Sequence, residues 1–189
     1  MSGKKQRVAD ASDENRRLFT EANAAWDSGD LKQAFTLFTR AASLGDVSSQ
    51  LDLGYFFDRG LFVKKDKKKA MRWYRRAYLQ RDAGAANNIG TVYRDLGDAR
   101  KMLWWFRRAA AMGDLDVLLD LGKRYEKGLA VPRNPAKARL LYRRVVQSKF
   151  ATKDDKAEAI ARLAALESKK ASCADGVALR HHTRRAKRG

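Results

Sequence analysis

Cysteine is all but missing from these 189 residues. Cys173 stands alone, so no disulfide can form within the chain and a disulfide-stapled secreted domain is excluded. Proline and glycine are also scarce. Two prolines and thirteen glycines, set against many Ala, Leu, Arg and Lys, favour helix over sheet, because unbranched side chains lose little rotamer freedom in a helix. No run approaches the roughly 18 consecutive apolar residues that a membrane span needs. The N-terminal stretch MSGKKQRVADASDENRR carries Asp10, Asp13 and Glu14, which suits neither a secretory signal nor an acid-poor transit peptide. A soluble, cytoplasmic protein is expected.

Acidic residues are outnumbered. The chain has 41 Lys and Arg against 22 Asp and Glu, a formal charge of +19. Residues 1–10 and 171–189 hold only eight of the basic and two of the acidic residues, so the remainder still carries +13. Positive charge is thus built into the part expected to fold, and it favours an acidic partner: nucleic acid, an anionic surface or an acidic protein. With 44% hydrophobic residues the chain can bury a sizeable core.

The chain also repeats itself. AFTLFTRAA from Ala34 recurs as AMRWYRRAY from Ala70, MLWWFRRAA from Met102 and ARLLYRRVV from Ala138, at offsets of 36, 32 and 36 residues. Upstream, Leu53-Gly54, Ile89-Gly90 and Leu121-Gly122 recur at the same 36 and 32 offsets, each followed three residues on by Phe57, Tyr93 or Tyr125. Asn23 and Trp26 take the matching places in a more divergent first unit.

Helix punctuation accompanies each repeat. Asp46, Asp82 and Asp114 are placed to cap the first helix of a pair, where a short side-chain oxygen accepts from free backbone N–H groups. Gly29, Gly60, Gly97 and Gly128 fall where that helix ends and a left-handed residue is favoured. Asp30, Asp66, Asp98 and Asn134 then cap the second helix, with Pro135 at the first helical position of the last. Ala70, Trp73, Tyr74 and Ala77 follow the i, i+3, i+4, i+7 spacing of one buried face. A single pair cannot cover such a face, so pairs must stack.

The expected architecture is all-α: an α-solenoid over 13–170 with units near 14–45, 46–81, 82–113 and 114–149. Helices are expected near 14–28, 31–44, 47–59, 67–80, 83–96, 99–112, 115–127 and 135–148. Ala157, Ile160, Ala161 and Ala164 add an amphipathic capping helix near 153–169. The basic segments 1–12 and 171–189 are expected to be disordered.

WYRRA at Trp73, RAAAMGD at Arg108, NNIGTVYRDLG at Asn87, and the long connections GLFVKKDKKKA from Gly60 and GLAVPRNPAKA from Gly128 resemble the Sel-one-like repeat family, a relative of the tetratricopeptide repeats. The resemblance covers residues 46–148, while AWDSGDLKQAFTLF from Ala25 is closer to a plain tetratricopeptide unit. It implies a right-handed superhelix of helix hairpins serving as an adaptor or scaffold. It also leaves room for one dedicated partner, such as a toxin or secreted effector that the protein neutralises or chaperones. Two departures stand out. The third unit has the short connection LGDAR from Leu96, four residues shorter than its neighbours, and the paired cysteines of the family's cysteine-rich branch are missing from the repeats. The second departure argues against an enzymatic role.

Nothing in the residues themselves points to catalysis. Gly122-Lys123 lacks the remaining residues of a phosphate-binding loop, and most acids are caps or alternate with basic residues. Cys173, His181 and His182 have no second cysteine at ligand spacing, so they are expected to belong to a solvated tail and not to a metal site. No cofactor, metal or small-molecule substrate is expected.

Two surfaces are candidates for a macromolecular partner. At 100° per residue from Ala70, Arg72, Arg75 and Arg76 project at about 200°, 140° and 240°, away from the buried face. Arg40, Arg107, Arg108, Arg143 and Arg144 are their counterparts, and Trp104 replaces Arg72, giving an arginine ladder interrupted by an exposed tryptophan. The first helices offer a polar groove of Tyr55, Arg59, Asn87, Thr91, Arg94, Lys123 and Lys127, able to hydrogen-bond an extended peptide. The expected role is a non-catalytic adaptor that binds an acidic protein or peptide by the groove, with the ladder as a second surface. The alternative is a nucleic-acid-binding repeat protein whose ladder and tail follow phosphates.

Overall fold

The computed structural model describes the backbone of residues 2–168 and the side chains of residues 13–168. The expected basic tail 171–189, with Cys173, His181 and His182, lies outside the described residues, whereas residues 2–12, expected to be disordered, are helical and lengthen the first helix beyond its expected start near residue 14. The chain divides into two compact units, Met1–Asp114 and Leu115–Gly189. The first holds helices α1 (Ser2–Asp27), α2 (Leu31–Ser43), α3 (Val47–Arg59), α4 (Lys67–Leu79), α5 (Ala83–Asp95) and α6 (Ala99–Met112). The second holds α7 (Leu115–Lys127), α8 (Pro135–Gln147) and α9 (153–168). Among the described residues there is no strand. From α2 to α8 the observed ends differ from those expected by at most one residue.

Local chemistry sets these ends. Asp30, Asp46, Asp66, Asp82, Asp98 and Asn134 each accept a hydrogen bond from the backbone N–H three residues on, at 2.7 to 2.9 Å. Each satisfies one donor that a helix start leaves free. Gly29, Gly60, Gly97 and Gly128 all adopt the left-handed conformation, with φ between 74° and 82°.

Within the first unit each helix packs on its predecessor, and α3 also touches α5; in the second, α7 packs on α8. The second helices bury one stripe: Ala34, Phe38 and Ala41 on α2, Ala70, Tyr74 and Ala77 on α4, Met102, Phe106 and Ala109 on α6, and Ala138, Tyr142 and Val145 on α8. In three pairs the central ring abuts a glycine of its own pair. A methyl group on Gly54, Gly90 or Gly122 would overlap the ring of Tyr74, Phe106 or Tyr142. Other rings meet between pairs, with Tyr78 on α4 against Trp105 on α6 at 5.0 Å.

Two expectations need correction. In the first pair the glycine's place belongs to Ala22, fully buried twelve residues before Ala34 as Gly90 is before Met102, and not to Asn23. Leu18, Ala22 and Ala25 form the buried stripe of α1, which rotates Asn23 and Trp26 off it. On α9 the buried residues are Ala159 and Leu166, while Ile160 is 53% exposed and Ala157, Ala161 and Ala164 also face solvent. The rotation is fixed by charge. Glu158 pairs with Lys123, and Arg162 reaches Glu126 at 3.1 Å, so the helix turns its 158, 159, 162 and 166 positions toward α7.

Candidate functional site

The groove on the first helices is more neutral than its sequence pattern suggests. Tyr55 is exposed on α3, its ring 6.0 Å from Trp26, with the Arg59 guanidinium 5.5 Å from its centroid. Asn87 and Thr91 are half-buried on α5, and Arg94 is exposed beside Asp95 at 3.8 Å. Arg59 likewise stands 3.8 Å from Asp58. Acids therefore accompany the basic groups on this side. In the second unit Lys127 is exposed, but Lys123 is engaged by Glu158 at 2.8 Å and is not an open contact. That ion pair holds the Glu158 carboxyl below its ordinary range, with Arg162 adding to the effect.

The second helices differ in charge. Helix α4 carries Lys67, Lys68, Lys69, Arg72, Arg75 and Arg76, and α6 carries Arg100, Lys101, Arg107 and Arg108; neither has an acidic residue. Arg72, Arg75, Arg76, Arg107 and Arg108 are all exposed, as their outward projection requires. In the first pair Arg40 is bound to Glu14 of α1. Arg143 is exposed and Arg144 half-buried on α8, in the second unit.

Trp104 is 48% exposed, and its surroundings give it a defined orientation. Its ring is edge-on to Trp105 at 4.8 Å, and the Arg108 guanidinium stacks over it 3.9 Å from the centroid. Arg108 also donates to the Tyr78 hydroxyl at 2.6 Å, linking α6 to α4. Arg76 stacks on Trp73 in the same manner at 4.6 Å. Such aromatic supports limit the conformers an arginine loses on binding a carboxylate.

A third feature was not singled out in the sequence. A cleft of about 690 Å³ lies between α4 and α5, with Met71, Val92, Tyr93 and Leu96 as its apolar lining and Lys68, Arg72 and Arg75 around it. Asp66 and Lys67 complete the lining, but both are engaged: Asp66 caps α4, and Lys67 binds Asp58 and Asp95. The signal that could have found it is the four-residue shortening at LGDAR. Among the described residues no group of three potential metal ligands occurs, and no helix is long and apolar enough to cross a membrane.

The Sel1 repeat family model matches residues 28–46, 47–82, 85–114 and 116–144, more than half of the chain. The chain belongs to the Sel1 repeat family. Among solved structures it is similar to a Sel1 repeat protein from Oxalobacter formigenes, at 26% identity and a TM-score of 0.58 over 71% of this chain and 56% of that one. It is also similar to a protective antigen of uropathogenic Escherichia coli that displays an SLR fold, at 27% identity and a TM-score of 0.57 over 69% of this chain and 30% of the antigen. The chain thus spans little more than half of the first and under a third of the second. BtubC from P. vanneervenii shares the fold, at 17% identity and a TM-score of 0.53 over 87% of this chain and 83% of its own. No curated protein matches the chain. Sel1 repeats are generally protein-interaction scaffolds and typically non-catalytic.

Proposed function

We propose that this Sel1 repeat protein is a non-catalytic adaptor that binds an acidic protein or peptide on the outer face of α4 and α6. The observation that carries this is the charge division between helices: ten basic and no acidic residues on α4 and α6, against a groove whose arginines stand beside Asp58 and Asp95. The arginine ladder therefore takes the leading role, and the groove of Tyr55, Asn87, Thr91 and Arg94 becomes the secondary surface. Trp104 supports the same reading, because an exposed tryptophan held beneath an arginine has the character of an interface anchor. A single dedicated partner, such as a toxin or effector, falls within this class if it is acidic.

The test is affinity capture of partners from the source cell by the whole chain, at low and high salt and with and without nuclease. A quadruple charge reversal, Arg75→Glu, Arg76→Glu, Arg107→Glu and Arg108→Glu, serves as the control. An acidic protein retained after nuclease treatment and lost in the reversal supports the proposal. Capture that disappears with nuclease and falls steeply with salt supports nucleic acid in its place. A partner unaffected by the reversal but lost on substituting Tyr55, Asn87 and Arg94 would move the site to the groove.

A further inference from the structure

The cleft between α4 and α5 has a filled counterpart one repeat earlier. There the long connection after Gly60 folds back so that Leu61 and Val63 pack on the cluster of Ala22, Ala25, Ala34, Phe38 and Phe56, and Phe62 meets Phe35 of α2 at 5.7 Å. At the repeat offset of 36, Phe35 corresponds to Met71, and Phe56 and Phe57 to Val92 and Tyr93. Those three residues line the open cleft. The connection that follows α5 is only Leu96-Gly97-Asp98, too short to supply the equivalents of Leu61, Phe62 and Val63. Leu96 is left 60% exposed. The open cleft is the same apolar seat without its internal occupant.

The rims of the two seats also differ. Lys32, Thr36 and Thr39 on α2 correspond to Lys68, Arg72 and Arg75 on α4, so two neutral hydroxyls give way to two arginines. Lys68, Arg72 and Arg75 are exposed. Of the charged groups lining the cleft, Lys67 is neutralised by Asp58 and Asp95, and the Asp66 carboxylate accepts the Lys69 N–H at the start of α4. The free charge at the rim is positive.

We infer that this cleft is the anchor point for the acidic partner: it seats one or two large apolar side chains of an extended segment whose flanking residues are Asp or Glu. The inference rests on the proposed acidic partner and adds the apolar anchor and its place. The seated residues would occupy the position that Leu61, Phe62 and Val63 occupy on the neighbouring repeat, and the flanking carboxylates would meet Lys68, Arg72 and Arg75. Apolar burial then supplies affinity that persists in salt, and the arginines select for acidic flanks.

The experiment measures binding of two labelled peptides to the whole chain. One has a Leu-Phe-Val centre between pairs of glutamates, the other a Ser-Gly-Ser centre between the same pairs. The Leu-Phe-Val peptide is expected to bind about tenfold or more tightly, the ratio that burial of one large apolar side chain supplies. Two variants remove the seat by different routes: Met71→Glu, and a graft replacing residues 96–98 with the seven residues found at 60–66. Both are expected to abolish the preference while retaining the weaker binding common to both peptides. Circular dichroism checks that each variant keeps its helical content. Equal binding of the two peptides to the unmodified chain would overturn the cleft while leaving the acidic partner standing. A preference that survives both variants would overturn it as well. Failure of the chain to bind either peptide would remove the acidic partner itself.

Discussion

Lys67 holds the carboxylate of Asp58, the one buried charged residue among those described, with Nζ 2.5 Å from Oδ1 and Asp58 only 3% exposed. The same ammonium lies 2.7 Å from Oδ2 of Asp95, so one side chain at the start of α4 ties the end of α3 to the end of α5. Burial alone would lower the Lys67 pKa, but the hydrogen bonds to Asp58 and Asp95 raise it. Lys67→Met leaves Asp58 with only Arg59 at 3.8 Å and is expected to destabilise the protein by about 3 kcal/mol, as for other broken buried pairs. Urea denaturation measures this, and Asp58→Asn in the same chain should recover most of the loss.

Gly90 is held at its size by Phe106. A methyl group there would overlap the ring, and the interior offers little slack. Gly90→Ala is expected to lose about 1 to 3 kcal/mol, despite alanine's better helix propensity. Adding Phe106→Leu should restore part of it, whereas a propensity effect alone would have made the first substitution stabilising.

Arg81 occupies a position that its repeat equivalents give to glycine. Its φ is 65°, while Gly45 and Gly113 at the corresponding turns have φ of 98° and 97°. A left-handed residue with a Cβ is strained by roughly 1 kcal/mol. The exposed Arg81→Gly variant is therefore expected to melt a few degrees higher, less whatever the glycine adds to the freedom of the unfolded chain. A lower melting temperature would contradict this.

Asp52 gives the protein a pH dependence. Burial, with the Asp46 charge adding to it, pushes its carboxyl up to about 6 from an ordinary value of 3.8. The native state thus binds the proton more tightly than the unfolded chain, so this group lowers stability as pH rises from about 4 to about 6, and the penalty stays in place above that. Asp52→Asn should raise stability on the order of 1 kcal/mol at pH 7.5, after allowance for its partial exposure, and make no difference below pH 4. Thermal melts of both proteins across that interval provide the check.

The helices and their ends were readable because capping is local: an Asp or Asn three residues before the N–H it receives announces itself in any repeat. The outward arginines were readable for the same reason, since the angle around a helix depends only on spacing. What escaped the sequence depends on distant partners. The rotation of α9 was ambiguous because the 157, 160, 161 and 164 set and the 159 and 166 set are both apolar; Lys123 and Glu126 on another helix decide between them. The same ion pair takes Lys123 out of the groove. The shortened connection at Leu96 was visible, but its consequence appears only once Leu61, Phe62 and Val63 are seen folded onto the preceding repeat.

The face that receives the partner can be mapped residue by residue. Backbone amide chemical shifts of the whole chain, titrated with a glutamate-rich peptide carrying a Leu-Phe-Val centre, are predicted to move along α4 and α6, strongest around Lys68, Arg72, Arg75 and Leu96. Shifts confined to Tyr55, Asn87, Thr91 and Arg94, with α4 and α6 unchanged, would contradict a basic outer face as the binding surface.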